Sequence, residues 1–137
     1  MTKYLLYNKG SYLMVSIDKL PVDVIQLSNK SDKSEFHITI AYEPKKKFKK
    51  YYHLNYLNKN VTIITKSISW GEDNISRIDI ESIYFEDDVK LNKIDKCGAH
   101  ITLFVPPTKK PKDAGLFIPL YIQEYNITLT GTYIIKH

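Results

Sequence analysis

Apolar and polar residues alternate along most of this chain, and the alternation predicts strands. Residues 11–17 (SYLMVSI), 35–42 (EFHITIAY), 60–69, 75–85 and 98–105 are rich in Ile, Val, Thr and Tyr, the side chains that suit a pleated surface. A further run at 3–7 (KYLLY) precedes the first of these across Asn8-Lys9-Gly10, which reads as a hairpin. Residues 22–28 fit a short strand or one helical turn. Residues 121–135 fit one long strand, or a hairpin broken near Gly131. Helical spacing shows clearly only at 45–58, where Phe48, Tyr51, Tyr52 and Tyr56 fall on one face behind Pro44. A weaker helical pattern covers 86–95. Many strands with one or two helices predict an α+β fold with antiparallel pairing.

An internal repeat refines that picture. Shifting the chain by 63 residues lays His37-Ile38-Thr39-Ile40 on His100-Ile101-Thr102-Leu103, Pro44 on Pro107, and Lys46, Lys47 and Lys49 on Lys109, Lys110 and Lys112. Seven of the fourteen positions counted from each histidine are identical. The repeat predicts a duplicated unit: a single bilobal domain, with halves at roughly 1–60 and 61–137 and a central cleft lined by the two His-x-Thr strands.

Strand alternation then sorts the chemistry. Ile38 and Ile40 point one way and His37 and Thr39 the other; Ile101 and Leu103 oppose His100, Thr102 and Phe104 in the same manner. Each strand offers an apolar side for a core and a second side carrying an imidazole beside a hydroxyl. If the halves are related by a pseudo-twofold, two imidazoles and two hydroxyls converge from opposite walls of the cleft. Such a set suits displacement at phosphorus. A neutral imidazole takes a proton from the attacking oxygen, an imidazolium protonates the leaving oxygen, and hydroxyls donate to the non-bridging oxygens. Histidine titrates near neutrality, so both protonation states are accessible. The scheme needs no metal and no cofactor. His53, on the helix pattern, and His137, at the terminus, have no matching motif.

Composition narrows the class. At 137 residues the chain is long enough for one core without staples. Cys97 is the single cysteine, which excludes an internal disulfide and a cysteine-based zinc cluster. No apolar run approaches the roughly 18 residues of a membrane span, and the N-terminal stretch is too short for a signal sequence. A cytoplasmic protein without a membrane role is expected. The net charge of +5 tilts the partner toward polyanions. Nineteen of the 20 basic residues are lysine and only Arg77 is arginine, a bias expected of an AT-rich genome such as those of some viruses and plasmids.

Paired His-x-Thr-hydrophobic motifs, one in each half of a small protein, resemble those of the 2H phosphoesterase superfamily. The resemblance rests on HITI at 37–40 and HITL at 100–103. It implies a bilobal α+β fold, with His37 and His100 as the acid–base pair and Thr39 and Thr102 as phosphate ligands. The implied substrate is a 2′,3′-cyclic phosphate, a 2′,5′-linked or cyclic oligonucleotide, or an RNA end; viral members degrade oligonucleotide immune signals. Beside the motifs, Phe104 is placed by alternation to stack a base. Lys46 and Lys109, each in a lysine cluster past the end of a motif strand, are placed to draw in an anionic nucleotide or RNA substrate. No obligate protein partner is implied. Two other readings stand: a non-catalytic RNA- or oligonucleotide-binding module using the same basic cleft, and a two-histidine endonuclease of the pancreatic ribonuclease kind.

Overall fold

A computed structural model of the protein describes residues 12–28, 36–42, 54–92 and 98–136. Its strands are β1 (Tyr12–Ile17), β2 (His37–Tyr42), β3 (Asn60–Trp70), β4 (Ser76–Phe85), β5 (His100–Phe104), β6 (Tyr121–Glu124) and β7 (Thr128–Lys136). They follow the order β4-β5-β2-β1-β7-β3, and β3 then returns to pair with β4. Every pairing is antiparallel, so six strands close on themselves as a barrel. Closure leaves these six without a free edge. β6 lies outside the ring, on the Ser67–Trp70 end of β3.

This architecture overturns the expected bilobal α+β fold. Among the described residues, helix is confined to the four-residue α1 (Val22–Ile25) and three short 3-10 turns. The predicted helix at 45–58 lies outside the described residues except at its end, where Leu54–Tyr56 form one 3-10 turn. The pattern at 86–95 is a tight strand return as far as Asn92. Phe85 donates its N–H to Val89 O at 2.9 Å, Asp88 takes a left-handed φ of 67°, and Leu91 N–H bonds Ile83 O. A residue in that φ region stops a helix. The strand expected at 3–7 and Cys97 also fall outside the described residues. Nor do two sheets flank a cleft, because β2 and β5 are direct neighbours in one sheet, with Ile38 opposite Ile101.

The barrel interior explains the period-two pattern. Val15, Ile38, Ile101 and Ile78 form one continuous row across four strands, and none has any exposed surface. Each buried aliphatic side chain of this kind contributes about 1.5–3 kcal/mol by leaving water. Leu13, Ile40, Ile63, Leu103 and Tyr133 extend the same core.

The C-terminal segment is neither an unbroken strand nor a hairpin. β6 and β7 both run along β3, and the switch between them occurs at residues 125–127. Thr65, fully buried at a β3 irregularity, fills the gap: its hydroxyl donates to Tyr125 O and accepts the Ile127 N–H at 2.8 Å. Gly131 sits well inside β7, opposite Ile17 and Val61. It marks a close approach and not a turn, because a Cβ there would run into the Ser16 carbonyl oxygen. No helix among the described residues is long and apolar enough to cross a membrane.

Candidate active site

The register that buries Ile38 against Ile101 fixes everything on the other face of the sheet. In an antiparallel ladder with those two opposite, His37 stands beside Thr102 and Thr39 beside His100. The neighbouring registers extend each pair into a row. One row runs Ser16, His37, Thr102, Arg77, Ser69; the other runs Met14, Thr39, His100, Asp79, Ser67. The four motif side chains thus form a quartet on the outside of the barrel, related by a local twofold through the Ile38–Ile101 pair. Cross-strand neighbours have Cβ atoms about 4.5–5.5 Å apart and diagonal residues lie about 7–8 Å apart, so His37 and His100, a diagonal pair, are near neighbours on the surface. They stand side by side on one surface, and not on opposed walls as the sequence suggested. All four are half-buried.

Two structures border the quartet. On the His37 side lies an aromatic pair: the Tyr12 ring is centred 6.3 Å from His37 and 6.0 Å from Tyr42, and Tyr42 is 62% exposed. On the His100 side the chain from Pro111 to Phe117 crosses the outside of β4 and β5. Gly115 lies directly on the imidazole there, since a Cβ at 115 would meet His100 Cε1 at 2.6 Å and Nε2 at 3.2 Å. His100 Nδ1 lies 3.0 Å from the Gly98 carbonyl. A carbonyl only accepts, so Nδ1 carries the hydrogen of this bond.

β3 and β4 supply a polar network beside His100. Asp79 accepts from Ser67 Oγ at 2.8 Å, from Ser69 Oγ at 2.5 Å and from Arg77 Nε at 2.7 Å. Burial alone would raise its pKa, but the hydrogen bonds from Ser69, Arg77 and Ser67 and the Arg77 charge outweigh it. The carboxyl is held below its ordinary value. Arg77 also donates through Nη1 to the carbonyls of Ala114 (3.0 Å) and Phe117 (3.3 Å), and its guanidinium lies 4.2 Å from the centre of the Phe117 ring.

The remaining predicted contacts are distributed unevenly. Phe104 follows Thr102 on β5 opposite Ser76, half-buried. Lys109 is bonded at 3.2 Å to Glu72 in the β3–β4 turn, where Thr108 also donates to Asp73. There it lines a cavity of about 540 Å³ with Ile75, Leu116 and Phe117, and neither histidine borders that cavity. Lys46 lies outside the described residues. Sequence reasoning missed Arg77, Asp79, Gly98, Gly115 and the Tyr12–Tyr42 pair. The i, i+2 spacing of Ser67/Ser69 and of Arg77/Asp79 was the available signal, but reading it requires the β3–β4 register.

No family model matches this chain, and no curated protein matches it. A likeness to a solved structure exists: a fungal RNA kinase superposes over 93% of this chain with a TM-score of 0.52 and 14% sequence identity. This chain spans 45% of the length of that one. At such low identity the likeness is one of fold.

Proposed function

We propose that the protein is a phosphodiesterase, independent of metal, that acts on a small nucleotide or an RNA end. Candidate substrates are a 2′,3′-cyclic phosphate, a 2′,5′-linked oligonucleotide or a cyclic oligonucleotide. The observation that carries this reading is the quartet itself, two imidazoles and two threonines brought to one face by the strand register. One imidazole accepts the proton of the attacking water as the new P–O bond forms. The other gives its proton to the oxygen that leaves as the old P–O bond breaks, so the pair ends with its protons exchanged and the charge balanced. Thr39 and Thr102 donate to the non-bridging oxygens, where negative charge accumulates. Tyr12 and Tyr42 offer a base a stacking surface next to His37, in the role that strand alternation assigned to Phe104. A fold shared with a protein described as an RNA kinase is in keeping with an RNA-derived phosphate substrate.

The test is to incubate the protein with 2′,3′-cyclic, 2′,5′-linked and 3′,5′-cyclic oligonucleotides, with and without EDTA, and identify products by mass. Turnover that survives chelation and is lost in His37→Ala and His100→Ala supports the proposal. Binding that weakens steeply with salt and never leads to product would instead favour an oligonucleotide-binding module.

A further inference from the structure

The Pro111–Phe117 segment does more than cross the sheet, because its height above β5 brings Gly115 against the His100 ring. Three features set that height. Asp79, itself held by two serines, fixes Arg77. Arg77 grips the segment by two carbonyls and stacks on Phe117. Ala114, one of the two gripped residues, is fully buried, and Asp113 closes the preceding turn by accepting the Lys110 N–H at 2.8 Å. Gly115 follows immediately and bears on the Cε1 side of the imidazole. The ring is therefore confined by Gly115 at its Cε1 side and by the Gly98 carbonyl at Nδ1, which together aim Nε2.

We propose that Arg77 and Gly115 are positioning residues for His100, with Arg77 acting as the clamp and Gly115 as the seat. The proposal rests on the reading of His100 as an acid–base catalyst. The only arginine of the chain suits this use, since its fork reaches two carbonyls and a carboxylate together, which a lysine ammonium cannot do with fixed geometry. A misplacement of about 1 Å at a reacting group costs up to about 100-fold in rate. Gly115→Ala should therefore lower kcat by about 10-fold or more while KM stays within about 2-fold.

The deciding measurement is independent of turnover. The ring 15N and Cε1–H resonances of His100, followed through a pH titration by NMR, should move in Gly115→Ala while those of His37 stay in place. Because an added Cβ could disturb folding, Arg77→Lys and Arg77→Met form a second arm. Lysine keeps the charge beside Asp79 and should restore part of the wild-type His100 signal, and methionine should restore none. Unchanged His100 resonances in folded Gly115→Ala and Arg77→Met proteins would overturn the proposal. If His100→Ala turns over like the wild type, the catalytic reading fails and so does the positioning role, whatever the ring signals do. If His100→Ala is inactive while Gly115→Ala keeps full kcat and wild-type ring signals, only the positioning role fails.

Discussion

His37 and His100 occupy the same tripeptide and the same kind of strand position, yet their surroundings share almost nothing. His100 is gripped: a carbonyl holds Nδ1, a glycine bears on its Cε1 side, and a carboxylate–arginine pair stands across the strand. His37 has Ser16 as its cross-strand neighbour on one side and a pair of tyrosine rings beyond it. Repetition of a motif therefore fixes the side chains of the quartet without fixing their environment, which comes from the strands on either flank. One imidazole is built into a rigid bracket. The other faces an aromatic surface suited to a substrate.

The largest effect expected is on turnover. Replacing either histidine by alanine should cut kcat by about 10²-fold or more with the fold preserved, and the double variant should be little worse than either single one, because the pair acts as a unit. A double variant that multiplied the two losses would show that the histidines act separately. Next, Asp79→Ala should remove about 1–3 kcal/mol of stability in urea unfolding at neutral pH, by stranding Arg77 and two buried serines. Because the Asp79 carboxyl titrates below its ordinary value when folded, its contribution is present above that value and fades as pH falls through the lowered one. The gap between wild type and variant should narrow in acid, and a constant gap would remove Asp79 from this role.

On the other flank, Tyr42→Ala should leave stability almost unchanged and weaken nucleotide binding by roughly 5-fold, with no effect on a phosphodiester that lacks a base. Equal losses on both ligands would eliminate the tyrosine surface as a base contact. Smallest of all is Lys109→Ala. Its partner Glu72 is 75% exposed, so the ion pair is worth at most about 1 kcal/mol, and the salt dependence of binding should stay as it was. A decrease of about one in that slope would return Lys109 to the substrate.

The strands were legible because alternation and β-branched residues mark them locally, and the two motif strands were legible because they repeat. Barrel closure was not legible. Nothing near Ile38 in the sequence indicates Ile101 as its neighbour, and the tempting inference from a repeat was two lobes. The helical stripe at 45–58 and the weaker pattern at 86–95 weighted the prediction toward helix, whereas Asp88 turns the chain back through a left-handed residue. The quartet could be anticipated in composition but not in arrangement, since side-by-side and face-to-face pairings require the same alternation. Gly115 left no trace in the pattern, because its importance lies in a contact with a ring fifteen residues away.

The handover at Thr65 makes β3 the spine of the molecule, with consequences for how it loosens. From Asn60 to Ile64 the strand is clasped by β4 and β7; from Ser67 to Trp70 its outer partner is β6, all four of whose residues are exposed. Fraying is therefore expected to begin at Tyr121–Glu124 and to halt where the Thr65 hydroxyl staples the chain, leaving shut the ring that carries both histidines while β6 opens.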